Sequence, residues 1–308
     1  MSELKNFIIN MKQKFEDDDP YIKRIKYPKL FINSLEELNG MIGNHGVKKD
    51  VVRNTVQLID NLNKDSNRET GMLNCCIYGP AGTGKTQTAT KIAKIWYSLG
   101  YLKKNSVKQN NELSQNDIVM MISMFYFIVF CFRNIMMVFG NLFARPHILL
   151  ILVIAIPLLI ILLKVEHRKY ERNLMDDVSD GLIDEREIIS VVSRKDFVAE
   201  YVGQTAIKTQ NLLEKNRGKF IFIDEAYSLF TPYWSGYGDS FGEEALTVMN
   251  QFMSENPDNI GIILAGYEDK MKETIFKNQE GLARRILFHF NVDEYNYEEL
   301  FLIFCYQL

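Results

Sequence analysis

Residues 79–86 carry the residue types that bind phosphate groups. They fit the pattern G-x-x-x-x-G-K-[ST], in which the glycines let backbone N–H groups point at phosphate oxygens. The lysine of this pattern reaches the β- and γ-phosphates, and the hydroxyl residue after it holds Mg²⁺. The segment therefore predicts binding of a nucleoside triphosphate with Mg²⁺. The candidate phosphate-binding residues are Gly79, Pro80, Ala81, Gly82, Thr83, Gly84, Lys85 and Thr86.

An acidic pair follows the apolar run at residues 220–223. Asp224 is placed to bind Mg²⁺ through its water shell, and Glu225 can orient and deprotonate an attacking water. Acidic pairs are common on protein surfaces, and a glycine-rich turn can join a strand to a helix by chance. The two features in one chain favour a nucleotide-hydrolysing site, in which Lys85, Asp224 and Glu225 act together.

The sequence around both features predicts the elements that position them. Residues 73–78 indicate a short buried strand before the loop, and residues 85–99 have the apolar spacing of a helix after it. Alternating strands and helices predict an α/β fold of the P-loop NTPase type, a parallel sheet flanked by helices. The site is then expected at the carboxyl ends of the strands. Further strands are predicted near 188–192, 220–223, 260–265 and 286–292, and helices over 47–62, 205–215, 243–253 and from about 270.

Composition excludes few classes of protein. The chain has 308 residues, 47% of them hydrophobic, and a net charge of −3 that gives no indication of nucleic-acid binding. Its four cysteines and four histidines lack the spacing of metal ligands, so we expect no metal apart from Mg²⁺ bound with nucleotide. The cysteine usage favours a reducing, cytosol-facing environment.

A long apolar region separates the two halves of the predicted site. Residues 148–163 are sixteen uncharged residues, close to the ~20 that a membrane-spanning helix needs. Residues 118–132 form another uncharged run, and turn residues occur near 140–146. Because the phosphate loop and the acidic pair must meet on one side of a membrane, the chain must cross it an even number of times. We therefore favour a two-helix membrane hairpin within 118–163 over a re-entrant hairpin or a buried helical pair.

Basic residues flank this region on both sides and favour a cytoplasmic location for the flanks. We expect a membrane protein with its nucleotide-binding domain on the cytoplasmic side. Residues 1–20 are polar and charged, so no signal peptide is expected at this position. The basic flanking residues are Lys103, Lys104, Lys108, Lys164, Arg168, Lys169 and Arg172.

Segments at 79–86, 196–205, 222–229 and 263–267 together resemble those of AAA+ ATPases. The resemblance is to the group of red-type Rubisco activase and the sporulation stage V protein K-like proteins. It covers about residues 35–304 except the inserted apolar region. The resemblance implies an AAA+ large subdomain in a ring-forming homo-oligomer, which uses ATP and Mg²⁺ to pull on a segment of a protein partner.

The resemblance also implies roles for individual residues. Tyr201, Val202 and Gly203 match the pore loop that grips the protein substrate, although Tyr201 alone also suits a packed aromatic residue. Ile42 and Gly43, after Met41, lie where the family contacts adenine.

The resemblance also implies roles in the hydrolysis step. Arg285 matches the arginine finger that acts on the ATP of a neighbouring subunit, and Arg284 is its neighbour. Without the resemblance, the pair is more typical of a solvated helix end. Tyr267 stands at the position of a polar sensor residue.

These patterns predict the following domain organisation. It comprises an N-terminal arm (1–34, an adaptor or a disordered segment), the first part of the AAA+ domain (35–104), the inserted hairpin and a charged linker (105–187), the second part of the AAA+ domain (188–295) and the start of a helical lid (296–308). Asn296 and Glu299 are expected to cap the lid helix. Most of the lid is expected to be missing.

The predicted function is a membrane-associated AAA+ ATPase that remodels a protein partner. The alternative is an ATP-binding regulatory or scaffold subunit with little turnover, as a missing lid suggests. A small-molecule kinase fits less well, because the acidic pair and the pore-loop segment suit hydrolysis and threading better than phosphate transfer.

Overall fold

The computed structural model describes residues 2–64, 73–102, 183–201, 203–230 and 240–307. Within these ranges, five strands form one sheet in the order β2-β3-β4-β1-β5, and every neighbouring pair is parallel. The predicted α/β fold with a parallel sheet flanked by helices is confirmed. The strands are β1 (Cys75–Tyr78), β2 (Ile189–Val192), β3 (Phe220–Ile223), β4 (Gly261–Gly266) and β5 (Phe288–Asn291).

Helices cover both faces of this sheet. A 3₁₀ turn (Ala226–Leu229) follows β3, and a π-helical turn (Lys272–Phe276) follows α9. The helices are α1 (Glu3–Glu16), α2 (Pro28–Gly40), α3 (His45–Asn63), α4 (Lys85–Leu99), α5 (Glu185–Ile188), α6 (Arg194–Phe197), α7 (Thr205–Lys215), α8 (Ser240–Glu255), α9 (Glu268–Met271), α10 (Glu280–Arg285) and α11 (Tyr297–Gln307).

Alternate residues of the buried strands point into two separate hydrophobic cores. In β3, Phe220 and Phe222 belong to the core on the side of α1 to α4, whereas Ile221 and Ile223 belong to the core on the side of α7 and α8. Strands that are buried on both faces are expected to be apolar throughout, as β3 is. Trp96 of α4 is fully buried and contacts the rings of three phenylalanines, Phe220, Phe288 and Phe290.

The N-terminal residues are not a separate arm. Leu4, Ile8 and Met11 recur at the spacing of one helical face and are buried in the same core as α4. The Tyr21 hydroxyl donates a hydrogen bond to the Asp60 carboxylate at 2.6 Å, which ties the segment between α1 and α2 to helix α3. The prediction of an adaptor or disordered arm over 1–34 was therefore wrong, because the amphipathic pattern of this segment buries it against the domain.

The predicted membrane hairpin within 118–163 lies outside the described residues. Among the described helices, none combines the length and the hydropathy that a membrane crossing needs. The domain boundaries that were drawn around the apolar region also remain predictions.

Most predicted elements were found within a few residues of their expected ends. The helix expected from about residue 270 begins earlier, at Glu268. The predicted cap of the last helix is confirmed: the N–H of Asn296 donates to Glu299 at 2.9 Å, and the N–H of Glu299 donates to Asn296 at 2.8 Å. A helix therefore begins at Tyr297 as the sequence indicated.

Candidate functional site

A cleft of about 880 Å³ lies at the carboxyl ends of β1 and β3, where open parallel sheets bind ligands. The phosphate loop after β1 contributes Lys85 and Thr86, and the turn after β3 contributes Asp224 and Glu225. The structure thus brings together the two sequence features that were predicted to form one site. The other lining residues are Glu37, Gly40, Met41, Ile42, Ala81, Gly82, Gly84, Gln87, Lys91, Tyr295, Ile303 and Tyr306.

The loop conformation depends on glycine at two positions. Gly84 has a left-handed backbone (φ 81°) immediately before α4, so the first N–H groups of this helix open towards the cleft. A side chain at Gly79 would place its Cβ 2.7 Å from the carbonyl oxygen of Val292, which is closer than such atoms approach. These two glycines let the backbone pass close to β5 and then turn sharply into the helix.

Lys85 is held inside the loop by backbone acceptors. Its Nζ donates to the carbonyl oxygens of Gly79 at 3.0 Å and Pro80 at 2.6 Å. The Thr83 hydroxyl donates to the same Pro80 oxygen at 2.9 Å. The Lys85 ammonium therefore occupies a carbonyl cradle that an incoming phosphate can replace, because charge-assisted bonds to phosphate are stronger than bonds to neutral carbonyls.

The acidic pair follows directly on the buried strand β3 and is exposed in the cleft. The Asp224 carboxylate accepts a hydrogen bond from the N–H of Glu225 at 3.0 Å. Glu225 has a left-handed backbone (φ 47°), an uncommon conformation for a residue with a side chain. Such strained positions persist where surrounding structure enforces them, and they cluster at functional sites.

An aromatic pair lies beside the acidic residues. Burial and the neighbouring Glu225 carboxylate raise the pKa of Tyr227 to about 12. The Tyr227 and Tyr267 ring centroids are 6.1 Å apart, and Lys270 Nζ lies 4.7 Å and 4.9 Å from them. Lys85 Nζ lies 5.8 Å from the Tyr267 ring centroid. Tyr267, the predicted sensor, therefore stands between the phosphate-loop lysine and the tyrosine that contacts Glu225.

The segment after α2 also lines the cleft. Ile42 is a lining residue, and its predicted contact with adenine stays a prediction. Lys48 fixes the preceding backbone by donating to the carbonyl oxygens of Asn39 and Met41. Burial lowers the pKa of Lys48, although the nearby Glu299 carboxylate opposes this effect. Gly43, by contrast, is not a lining residue of the described cleft. It packs beneath Tyr295 and Glu299, so its role in adenine binding remains a prediction.

Arg285 lies outside the cleft lining, at the end of α10. Its guanidinium donates to Asn250 at 3.0 Å and to Ser254 at 2.9 Å, both residues of α8. Arg284 differs: its side chain is 78% exposed and pairs with Glu280 at 3.2 Å. A residue outside the cleft of its own chain is compatible with the predicted action on a neighbouring copy.

Two of the three predicted pore-loop residues, Tyr201 and Gly203, are exposed. Tyr201 is 68% exposed, which removes the alternative of a packed aromatic residue in this chain. Gly203 has a left-handed backbone (φ 80°) with open space around it. Val202 lies outside the described residues.

Several cleft residues were not found from the sequence. Tyr295 donates a hydrogen bond from its hydroxyl to the carbonyl oxygen of Thr83 at 3.1 Å, across 212 positions of the chain. Glu37 of α2 forms ion pairs with Lys91 and Lys94 of α4. Partial burial would raise the pKa of Glu37, but the two ammonium groups hold it below its ordinary value. These residues carry no motif. The helical spacing of the buried residues Leu30, Leu35 and Leu38 is the signal that could have predicted the packing of α2.

Among the described residues, no group of three or more histidine, cysteine, aspartate or glutamate side chains is arranged to hold a metal ion. Burial raises the pKa of Cys76 to about 12 and that of Cys75 well above its ordinary value. Both thiols are therefore protonated and inert at neutral pH.

Comparison with known proteins shows several that are similar to part of this chain. Protein CbbX of Cereibacter sphaeroides is 39% identical over 123 residues, which cover 40% of this chain and 38% of that protein. A chloroplastic ribulose bisphosphate carboxylase/oxygenase activase of Cyanidioschyzon merolae is 39% identical over 123 residues, 40% of each chain. A CfxQ homolog of Galdieria sulphuraria is 39% identical over 109 residues, 35% of this chain and 34% of that protein.

Over this region, the chain is thus similar to proteins of the red-type activase group of AAA+ ATPases. The predicted resemblance is confirmed at this level. The matched region spans between about a third and two fifths of the length of these curated relatives. No protein-family model matches the chain.

Proposed function

We propose that this protein is an ATP hydrolase of the AAA+ type, which uses ATP turnover to remodel a protein partner. The cleft that joins Lys85 and Thr86 to Asp224 and Glu225 carries the proposal. A phosphate-binding loop alone serves many reactions, but an adjacent exposed glutamate supplies the base that hydrolysis needs. The relationship to the red-type activase group supports the same reaction.

Each residue of the cleft has a separate role in the proposed reaction. Lys85 leaves its carbonyl acceptors to bind the β- and γ-phosphates, and the open start of α4 contributes N–H groups to the same oxygens. Glu225 orients a water molecule and accepts its proton. The site also fits Mg²⁺, because Thr86 and Asp224 offer oxygen ligands on the same cleft. Bound Mg²⁺ supplies the positive charge that the phosphate oxygens need as the bond breaks.

The protein acts in this proposal as a ring of identical subunits. Arg285 lies outside its own cleft, so it serves the ATP of the next subunit and stabilises the charge of phosphoryl transfer there. The exposed Tyr201 contacts the protein partner in the pore, where aromatic side chains give large contact area.

We also propose that the ring is anchored at a membrane through residues 118–163, with the ATPase domain on the cytoplasmic side. The support is the sequence of this region, its apolar runs and its basic flanks. In membranes that contain the protein, residues 118–163 should be protected from an added protease. The protein should also stay in the membrane during alkaline carbonate extraction. Release of the intact protein by carbonate would overturn the anchor and leave the ATPase proposal unaffected.

The decisive experiment on the ATPase uses the full chain in detergent with Mg-ATP. In Glu225→Gln, we expect phosphate release to fall by about a hundredfold or more while ATP stays bound, because the base is lost and the phosphate contacts remain. Lys85→Ala should lose ATP binding itself. Glu273→Gln, a change at an exposed position outside the cleft lining, is the matched control and should hydrolyse ATP like the unchanged protein.

Three other outcomes would contradict parts of the proposal. Glu225→Gln with unchanged turnover would remove Glu225 as the base. An unchanged protein that binds ATP as a monomer without turnover would indicate a regulatory or scaffold subunit. Transfer of phosphate to an added small molecule, with no release in its absence, would indicate a kinase. The mass of the Glu225→Gln protein with ATP tests the ring directly.

A further inference from the structure

The guanidinium of Arg285 is fixed by residues that the function proposed above does not use. Its Nη1 donates to the Asn250 side-chain oxygen at 3.0 Å and to the Gly281 carbonyl oxygen at 2.7 Å. Its Nη2 donates to the Ser254 hydroxyl at 2.9 Å. Asn250 and Ser254 are four residues apart on α8, so one face of this helix holds both ends of the guanidinium fork.

The backbone of Arg285 is fixed as well. Asn74, which is 2% exposed, donates from its side-chain amide to the Arg285 carbonyl oxygen at 3.2 Å. The same side chain accepts a hydrogen bond from the N–H of Ile262 at 2.9 Å. Arg285 is therefore tied to the central strands through its main chain and to α8 through its side chain.

The fit around the guanidinium is close. A Cβ at Gly281 would lie 2.7 Å from the Asn250 side-chain nitrogen and 3.2 Å from Arg285 Nη1. In the described part of the chain, Arg284, one residue earlier, has an exposed ion pair with Glu280, a type worth about 0–1 kcal/mol. The adjacent arginines thus differ. Arg284 has the environment of a solvated helix end, whereas the Arg285 guanidinium is held by Asn250, Ser254 and the Gly281 carbonyl, which together form its seat.

The hydrogen bonds of this seat use some, but not all, of the N–H donors of Arg285. An arginine carries five N–H donors. Both Nη1 hydrogens and one Nη2 hydrogen are used by acceptors in the described part of the chain. Arg285 Nε is buried without a described partner. Among the described residues, no acceptor is found for the second Nη2 hydrogen, so this hydrogen is the donor available for a contact with another subunit.

We propose that Asn250 and Ser254 are positioning residues, which hold the Arg285 guanidinium so that its free Nη2 edge meets the phosphate groups of ATP bound to the neighbouring subunit. This inference rests on the proposed function. A donor held in place before the reaction costs no reorganisation as charge develops, and a small misplacement of such a group costs about a hundredfold in rate. Loss of Asn250 or Ser254 is then expected to slow turnover and to leave the affinity for ATP unchanged.

The first test compares kcat with KM for the full-length protein. Asn250→Ala is expected to lower kcat about tenfold or more with KM for ATP within about twofold, because the misplaced donor acts in the transition state. Asn250→Asp keeps an oxygen acceptor for Nη1 and is expected to restore most of the loss. Ser254→Ala should give a smaller loss. Arg284→Ala is the matched control, with kcat unchanged.

The second test asks where the seat acts. Asn250→Ala subunits keep an intact ATP site, and Lys85→Ala subunits keep an intact Arg285 seat but bind no ATP. In a mixed ring, ATP sites of the first kind meet Arg285 of the second kind. We expect the mixture to hydrolyse ATP several-fold faster than the sum of its parts. A rise in turnover is not expected if Asn250 only supports the fold of its own subunit.

These measurements distinguish failure of the positioning role from failure of the proposed ATPase function. No hydrolysis by the unchanged protein overturns both. Normal hydrolysis by the unchanged protein, with Asn250→Ala also normal or faster, overturns the positioning role alone. A mixture that equals the sum of its parts also overturns it. Unfolding midpoints and ATP affinities of the variants, measured beside the unchanged protein, identify a loss that comes from misfolding.

Discussion

The Tyr227 hydroxyl lies beside the carboxylate of Glu225, the residue proposed to activate water, and this carboxylate together with burial raises the pKa of the hydroxyl. Its ring packs on the end of β4, where a Cβ at Gly266 would lie 2.9 Å from the Tyr227 ring. Tyr267 and the ammonium of Lys270 close the other side of the ring. Tyr227 is therefore held on several sides and in turn restrains Glu225.

Removal of this hydroxyl is predicted to slow turnover. Tyr227→Phe keeps the ring and its packing but leaves the Glu225 carboxylate without this partner, so the base is less well oriented. We expect kcat to fall several-fold with KM for ATP unchanged, since the lost interaction orients a reacting group and does not bind ATP. Steady-state phosphate release measures both quantities. Tyr97→Phe, which changes a partly buried tyrosine of α4 that does not line the cleft, is the control.

Asn74 is predicted to contribute to stability through its buried amide. Asn74→Ala leaves the N–H of Ile262 and the carbonyl of Arg285 without their side-chain partner, and an unmet buried polar group costs about 1–3 kcal/mol. We expect the free energy of unfolding in urea to fall by about that amount. Asn278→Ala removes a hydrogen bond to the Thr274 carbonyl on an exposed helical surface and should cost about 0.5 kcal/mol or less. Equal losses for the two variants would contradict the buried role of Asn74.

The parts of the site that the sequence predicted are local in the chain. The phosphate loop with its flanking strand and helix, and the acidic pair after an apolar strand, each need only a short segment to be recognised. The seat of Arg285 is different, because Asn74, Asn250 and Arg285 are far apart in sequence and meet only when β1, α8 and α10 pack together. No spacing rule predicts such contacts.

The N-terminal segment shows a second limit. Its apolar spacing of Leu4, Ile8 and Met11 was present in the sequence, but a charged composition nearby favoured a solvated arm. Periodicity was the stronger signal, because burial of one helical face stabilises the segment more than its surface charges oppose it. Tyr295 illustrates the remaining case, a single residue whose contact with the phosphate loop depends on where β5 ends.

The ion pairs of Glu37 predict a dependence of stability on pH. Lys91 and Lys94 hold the pKa of Glu37 below its ordinary value of 4.5, so the carboxylate binds protons more weakly in the folded than in the unfolded chain. Its contribution is present above the unfolded pKa and is lost as pH falls through the lower folded pKa. We expect Glu37→Gln to be less stable than the unchanged protein at pH 7.

The same linkage predicts that this difference shrinks below about pH 4.5. Urea unfolding of both proteins at pH 7 and at pH 4 or lower measures it, with Glu36→Gln as the neighbouring control for a more exposed ion pair, that with Lys12. A difference that grows as the pH falls would contradict the role of Lys91 and Lys94.

Gly79 is predicted to be required for ATP binding because no side chain fits between the phosphate loop and β5. In Gly79→Ala, the new Cβ lies 2.7 Å from the carbonyl oxygen of Val292, a backbone atom that cannot move without shifting the end of β5. The loop must move instead, and its N–H groups and Lys85 lose their alignment on the phosphates. We expect the dissociation constant for ATP, measured by calorimetry, to rise about tenfold or more. Gly40→Ala is the matched control, since Gly40 also lines the cleft but has open space around it, and ATP affinity close to that of the unchanged protein is expected there. Tight ATP binding by Gly79→Ala would show that the loop tolerates the displacement.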